Sequence, residues 1–343
     1  MKKIYSICLI VFSFVISTNA QDIHFSQYWT APQLLNPANT GKFNGVFRAT
    51  FNYRNQWFTI PTLNSVAPYQ TYHASIDAPL FREKLGNNGF GIGASFFNDK
   101  AGDGALSTNS ALISIAYHQS LDRYGNNHLS FGLQAGVVTK QINITDLIFE
   151  TQLENYGWNR NLSNGETNFN NKTLIYPDVN VGARFTSRIR DNIKFNFGAA
   201  VNHIAEPRES FLQDEKNKLG RRYTFHTGAD ISLGREGYFS IHPTFLFMLQ
   251  SQARQFNLGL GLNYQLNDNI GIFGGGFYRV QDAGIVQVGV DIYNARIGVS
   301  YDINHSGLRY ASKAQGALEC SVVYIFKAQK DQDVLYPKYC PKF

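Results

Sequence analysis

The stretch Arg254–Leu266 reads R-Q-F-N-L-G-L-G-L-N-Y-Q-L, and large apolar residues alternate in it with glycines and amides. Successive side chains of a β-strand point to opposite faces of the sheet. This spacing therefore predicts a strand with one apolar face and one small or polar face. The pattern matters because it recurs along most of the chain.

About fourteen stretches have this strand-like character, and each is long enough to cross a bilayer at a tilt. In 193–202, for example, Ile193, Phe195 and Phe197 alternate with Lys194 and Asn196. The predicted strands cover residues 45–54, 67–78, 89–98, 106–118, 128–140, 175–187, 192–204, 221–234, 238–250, 254–266, 269–279, 284–293, 295–304 and 316–327.

The two faces of these strands predict a closed barrel in a membrane. Only helices and closed barrels satisfy every backbone polar group in lipid, and no stretch after Ile16 is long and apolar enough for a transmembrane helix. A soluble β-sandwich is the alternative, but it needs a polar outer face and a packed inner one. The predicted fold class is therefore all-β, a transmembrane antiparallel β-barrel of about 14 strands of the outer-membrane type.

The lengths of the connections support an even number of strands. Barrels of this type have short periplasmic turns and longer outer loops. The stretches at 188–191, 235–237, 267–268 and 294 are short, whereas those at 141–174, 205–220 and 305–315 are long and fall on the other side. This alternation predicts that both termini lie in the periplasm.

The first twenty residues have the features of a secretory signal peptide. Lys2 and Lys3 precede a short apolar stretch from Ile4 to Ile16, and Thr18-Asn19-Ala20 resembles a cleavage site. A membrane anchor would need about 20 apolar residues. We therefore expect a signal peptide at 1–20, an N-terminal periplasmic arm or plug at 21–44, the barrel at 45–327 and a periplasmic C-terminal tail at 328–343.

The segment 21–44 is not strand-like but contains aromatic residues, prolines and amides. A disordered leader would normally contain fewer aromatic and apolar residues. If the segment contacts a partner, Tyr28, Trp29, Asn36 and Pro37 are the candidate anchors, because aromatics supply contact area and proline lowers the entropy lost on ordering. The alternative is that the segment only seals the lumen.

Composition excludes several other classes of function. The formal net charge of +6 falls to +4 when Lys2 and Lys3 are removed, and the charges are scattered, so we expect no nucleic-acid partner. Charged residues make up 16% of the chain and aromatics 14%, which suits a lipid-facing surface with aromatic girdles. Cys320 shares the apolar face of its strand, so we expect no disulfide with Cys340.

The sequence contains no recognisable motif for catalysis, for a cofactor or for a metal. The glycines of Gly89-Phe90-Gly91-Ile92-Gly93 lie on one face of a predicted strand, with no helix following for a phosphate loop. Asp99–Gly104 lacks the closing glutamate of a calcium loop, and the histidines show no zinc-protease spacing. We therefore expect no catalytic residue, no cofactor, no metal and no enzymatic activity.

Several short stretches together resemble the PorP/SprF family. At the N-terminal end these are Gln21–Tyr28 and Leu35–Gly41, followed by Tyr53–Trp57 and Ser75–Pro79. Near the C-terminal end they are Tyr301-Asp302, Gly316, Glu319 and the ending Cys340–Phe343. Two departures are Ile23, where the family has proline, and Ala317-Leu318-Glu319, where it has Ser-His-Glu.

The resemblance implies an outer-membrane component of the type IX secretion system of Bacteroidota. It would support the secretion or surface anchoring of a cargo protein such as a gliding adhesin. The implied partners are the lipid bilayer, the cargo and periplasmic subunits of the system. Two alternatives remain at this stage: an outer-membrane channel or transporter for small solutes, and a purely structural anchor.

Overall fold

The computed structural model describes residues 22–58, 69–81, 84–102, 106–142, 147, 149–154, 157–159, 161–163, 165, 173–211, 217–234 and 237–327. The predicted signal peptide 1–20, the tail 328–343 and Cys340 lie outside these residues. No helix within the described part of the chain is long and apolar enough to cross a membrane.

Fourteen strands of the described residues form one closed antiparallel barrel, as predicted. In chain order they are β1 (Phe47–Gln56), β2 (Tyr69–Leu80), β3 (Gly89–Ala101), β4 (Leu106–Ser120), β5 (Asn127–Gln141), β8 (Thr173–Arg190), β9 (Ile193–Asn202), β10 (Arg222–Leu233), β11 (Phe239–Gln250), β12 (Ala253–Gln265), β13 (Ile270–Arg279), β14 (Ala283–Ile292), β15 (Ala295–Asn304) and β16 (Gln315–Phe326). Between β5 and β8, β6 (Leu153–Glu154) and β7 (Gly157–Trp158) pair as a separate hairpin.

The barrel is a simple meander closed by its first and last strands. Each strand pairs with its neighbours in the chain, and β1 pairs with β16 in a register that sets Phe47 opposite Phe326. Closure leaves no sheet edge with unpaired backbone groups, which a barrel in hydrocarbon requires.

The two faces of the wall are those predicted from the alternation. In β12 the side chains of Leu258, Leu260 and Leu262 are 41–52% exposed on the outer surface, whereas Asn257 and Asn263 are buried on the inner face. The same division holds on β16, where Cys320 is exposed on the outer face and Glu319 is buried inside. The outer surface is thus apolar and the lumen is lined by polar side chains.

The two ends of the barrel differ in their connections. We call one end the turn end, because β1 begins there, β16 ends there, and the connections include the two-residue turns 191–192 and 293–294. The opposite end is the loop end, where the four longest connections lie, at 57–68, 142–172, 203–221 and 305–314. Short 3-10 helices at Glu150–Gln152 and Gly307–Arg309 belong to these loops.

Candidate functional site: the filled lumen

Residues 22–46, called the plug from here on, run through the lumen of the barrel. At the loop end the backbone N–H of Asp22 donates to Oε1 of Gln250 at 2.9 Å. At the turn end the N–H of Val46 donates to the carbonyl oxygen of Phe326 at 2.7 Å. The plug therefore passes from the loop end to the turn end before β1 begins. It lies within the barrel and does not form an arm outside it.

Prolines and an asparagine fold the middle of the plug into three short helical turns, Tyr28–Thr30, Pro32–Leu35 and Pro37–Asn39. Pro32 and Pro37 each occupy the first position of a turn, where the missing N–H costs nothing. The side chain of Asn36, in extended backbone between two turns, accepts a hydrogen bond from the N–H of Ala38 at 2.9 Å. The result is a compact coil narrow enough for the lumen.

A buried ionic cluster holds the part of the plug that lies nearer the loop end. We call Arg54, Arg279, Asp302 and Glu319 the clamp. Glu319 accepts the N–H groups of Ser26 and Gln27 at 2.6 and 3.0 Å, and the Ser26 hydroxyl donates to Asp302 at 2.7 Å.

The charged groups of the clamp pair with one another. Arg54 pairs with both carboxylates, and Arg279 contacts Asp302 at 3.2 Å and the Ser26 hydroxyl at 2.6 Å. Two buried guanidiniums thus face two buried carboxylates, and Arg279 also pairs with the partly exposed Asp282 at 2.8 Å. Removing Asp302 or Glu319 would take a buried carboxylate away from Arg54.

A second ion pair fixes the part of the plug near the turn end. Arg48 binds Asp77 through two nitrogens, at 2.7 and 2.9 Å. The N–H of Gly41 donates to Asp77 at 2.6 Å, and Arg48 donates to the carbonyl of Asn39 at 3.1 Å. The clamp and the Arg48–Asp77 pair both join the strands to the plug backbone. Charged groups therefore hold the plug to the wall at two places along its length.

Glycines on the inner face of the wall make room for the plug backbone. A Cβ added at Gly91 would lie 2.1 Å from the carbonyl oxygen of Thr40, and one at Gly132 would lie 2.2 Å from the carbonyl carbon of Pro37. A Cβ at Gly182 would lie 2.0 Å from Oδ1 of Asn36. The inner face carries glycine at these positions because the plug packs directly against the wall there.

At the loop end, a histidine joins the beginning of the plug to the barrel. His203 follows β9 at a positive φ of 56°, and its ring contacts Asp178 at 2.8 Å and Asp22 at 2.5 Å. Burial alone would lower the pKa of His203, but the two carboxylates raise the pKa to about 9. Burial would raise the pKa of Asp22, but His203 and Arg222 hold it well below its usual range. The group is therefore an ionic latch at neutral pH.

All four residues predicted as partner anchors lie inside the lumen. Tyr28, Asn36 and Pro37 are buried, and Trp29 packs against Tyr28 and against Phe277 of β13, each with ring centroids 4.8 Å apart. Asn36 also donates to the carbonyl of Ala183 at 3.0 Å. These contacts are with the barrel's own wall, so the role of the four residues as partner anchors stays a prediction.

The residues that hold the plug were not singled out from the sequence as site residues. Several nevertheless lie in the stretches that carry the family resemblance: Ser26, Arg54, Asp77, Asp302 and Glu319. One signal could have identified the strand residues among them. Charged side chains at inward positions of predicted membrane-crossing strands are costly unless they find partners, so such positions indicate contacts inside the barrel.

Within the described residues no group of histidine, cysteine, aspartate and glutamate side chains is arranged to hold a metal ion. The inward charges are instead used between the plug and the wall. The fold and the filled lumen define a transmembrane β-barrel with an N-terminal plug.

Comparison with known proteins places this barrel in a family. The family model described as type IX secretion system membrane protein PorP/SprF matches residues 17–324, and the chain belongs to this family. The protein is therefore a membrane protein of a type IX secretion family, as the sequence motifs predicted.

Several solved structures match the chain at low sequence identity and with TM-scores below 0.5. The Ralstonia pickettii toluene transporter TbuX is 10% identical, with a TM-score of 0.49 over 86% of this chain and 92% of its own. The CymD monoaromatic hydrocarbon channel is also 10% identical, with a TM-score of 0.49 over 87% and 93%. The KdgM porin is 8% identical, with a TM-score of 0.39 over 81% and 99%. No curated protein matches the chain.

Proposed function

We propose that the protein is an outer-membrane component of the type IX secretion system that supports the secretion or surface anchoring of a cargo protein, such as a gliding adhesin. Family membership over residues 17–324 is the observation that carries this proposal. The barrel would act by binding, without catalysis and without a cofactor.

The filled lumen supports a role in binding other proteins rather than in passing them through the barrel. Because the plug is bound to the wall at the clamp, at Asp77 and at His203, a cargo protein has no free path through this barrel. In the proposed arrangement the bilayer holds the apolar outer face. The loop end faces the cargo outside the cell, and the turn end and the tail 328–343 face the periplasmic subunits.

The alternative of a small-solute channel requires the plug to move aside. Nothing in the contacts of the plug favours that over a fixed seal, since charged groups bind it at several levels. Loss of a channel would change the uptake of a small solute, whereas loss of a secretion component would change the proteins displayed at the cell surface. The two functions therefore predict different phenotypes.

The test is a deletion of the gene in the source bacterium, followed by mass spectrometry of proteins shaved from intact cells. We expect one or a few type IX cargo proteins to disappear from the surface and to return with the wild-type gene. Cross-linking of the complemented protein should recover periplasmic subunits. An unchanged surface proteome together with an altered uptake of small solutes would contradict the proposal.

Complementing variants identify which part of the protein acts. Tyr28→Ala/Trp29→Ala tests the predicted anchors: a partner-binding role predicts an inserted barrel with less cargo on the surface. Because both rings pack inside the lumen, a purely sealing role predicts normal cargo display and leakage of small solutes. An epitope inserted near Asn164 should be labelled on intact cells, whereas one inserted at Asp191, in a two-residue turn, should not.

A further inference from the structure

The outer face of the wall carries few charged side chains. In the half of the barrel nearer the loop end, the outward positions of the fourteen described strands carry two, Lys100 of β3 and Arg254 of β12, and both are exposed. A cation on the lipid face of a barrel is costly near the bilayer midplane and costs little at the level of the headgroups. The depth and the neighbours of each cation therefore indicate what it contacts.

Arg254 lies at the edge of the apolar outer surface. The next five outward residues of β12, from Phe256 to Tyr264, are apolar or aromatic and 40–52% exposed. They extend over about 27 Å of strand, at about 3.4 Å per residue, and the tilt of a barrel strand reduces this to a height of roughly 20 Å. The apolar band of an outer-membrane barrel is about 25 Å tall. Arg254 is therefore at the level where lipid headgroups begin.

A row of aromatic rings lies on the turn-end side of Arg254. Phe247 packs against Phe256 and Phe225, with ring centroids 4.6 and 6.2 Å apart. The next outward positions toward the loop end are adjacent in the β10–β11 and β11–β12 ladders, and they belong to Tyr223, Leu249 and Arg254. An acyl chain can pack along the aromatic row, while the guanidinium and a tyrosine ring lie at the end of the row where a headgroup would be.

The Arg254 guanidinium has no counterpart in its own chain. Within the part of the chain that the structure describes, it makes no hydrogen bond and no ion pair. The carboxylate of Asp282, in the connection after β13, pairs instead with Arg279 at 2.8 Å. An exposed arginine at the headgroup level attracts an anion, and its planar group can hold two phosphate oxygens at once.

Lys100 has a different setting and provides a matched control. The neighbouring outward residue of β3 is Asn98, whose amide donates to Asn109 at 2.7 Å and to Ser107 at 3.2 Å. Polar side chains thus separate Lys100 from the apolar surface, which begins at Phe96. A lipid bound at Lys100 would gain a charge contact without an aromatic row for its acyl chains.

We propose that Arg254 and the row formed by Phe225, Phe247 and Phe256 bind a lipid with a phosphate headgroup. The phosphate would lie on the Arg254 guanidinium, and an acyl chain would lie along the three rings. A free phosphate ion would use the guanidinium alone, so the aromatic row favours a lipid. The inference goes beyond the proposed function, since it concerns the membrane and depends on neither cargo nor secretion.

The test is native mass spectrometry of the full-length protein released from detergent micelles. The probes are dioleoyl phosphatidic acid and dioleoylglycerol, which have the same acyl chains with and without the phosphate. Apparent Kd values are measured by titration for wild type, Arg254→Gln and Lys100→Gln. Inorganic phosphate is added in a separate series as a competitor without acyl chains.

We expect wild type to bind phosphatidic acid at least about fivefold more tightly than dioleoylglycerol, since one cation near an anionic headgroup contributes about that factor. Arg254→Gln should remove this preference, whereas Lys100→Gln should change it by less than about twofold. Should Arg254→Gln fail to give the heat-modifiable band of a folded barrel, a photoactivatable phosphatidic acid is used on wild type. Its label should then fall on residues 222–265, which contain β10 to β12.

Four results would overturn the inference. They are equal binding of the two lipids by wild type, an equal loss in Lys100→Gln and Arg254→Gln, displacement of phosphatidic acid by an equal concentration of inorganic phosphate, and a photolabel on other strands. Because no cargo or secretion machine is present in the assay, none of these results bears on the proposed secretion function.

Discussion

Replacing Glu319 by glutamine should loosen the plug while leaving the barrel closed. The Glu319 side chain is 2% exposed, pairs with Arg54 and accepts the N–H groups of Ser26 and Gln27. The amide keeps one acceptor oxygen but turns an NH₂ group toward a donor. It also removes one of the two buried carboxylates that pair with Arg54.

The magnitude follows from these contacts. Breaking a buried ion pair by removing one partner costs about 3–5 kcal/mol. Asp302 remains within 3.1 Å of Arg54 and 3.2 Å of Arg279, so part of the compensation survives and the lower end of that range applies. A cost of about 3 kcal/mol corresponds to a factor of roughly 100 in the equilibrium between the seated and the released plug.

Hydrogen–deuterium exchange in detergent measures this equilibrium directly. Amides of residues 22–46 should exchange roughly 100-fold faster in Glu319→Gln, whereas amides of the strands should not change. The control is Glu209→Gln, which breaks the pair between Lys140 of β5 and Glu209 of the loop at 203–221 and leaves the clamp intact. Equal exchange of the plug in wild type and in Glu319→Gln would refute the role of the clamp.

Three further predictions follow from the plug and the wall. Gly132→Ala should destabilise the seated plug by more than about 1 kcal/mol because its Cβ would overlap Pro37. Gly276→Ala, with open space at its Cβ, should not destabilise it. Hydrogen–deuterium exchange of the plug amides measures both effects. The raised pKa of His203 means that its contribution is complete below about pH 6.5 and is lost as the pH rises through about 9. Exchange of residues 22–24, corrected for intrinsic rates, should therefore accelerate between pH 7 and 10, and a flat profile would exclude the latch. Leu260→Arg on the outer face should cost roughly 2–4 kcal/mol in folded barrel near the bilayer midplane, measured by heat-modifiable mobility.

The strands were predictable because alternation is a local property of the sequence. The stretch at 254–266 predicted β12 within one residue at each end, and the predicted division of faces holds in the structure. The predicted strand 192–204 ends earlier, at Asn202, because His203 adopts a positive φ and turns its ring toward Asp22. That contact joins residues far apart in the chain, so no local pattern could predict it.

The interior of the barrel was less predictable for the same reason. The hydrogen bond from Ser26 to Glu319 joins positions 293 residues apart, and it exists only once strand register and closure are fixed. From the sequence, the glycines and amides of the inner face were compatible with an open lumen. The close approach of the plug to Gly91 and Gly132 shows that they pack against the protein's own chain. The aromatic residues of the plug suggested an interface, and they form one, with the wall of their own barrel.

The central claim is that the plug seals the lumen, and single-channel recording in a planar bilayer tests it most directly. Wild type should give no stable conductance, whereas a variant whose residues 24–40 are replaced by a glycine-serine linker of equal length should conduct steadily. Barrel formation in both is checked by heat-modifiable mobility. Steady conductance of wild type, equal to that of the linker variant, would contradict the account.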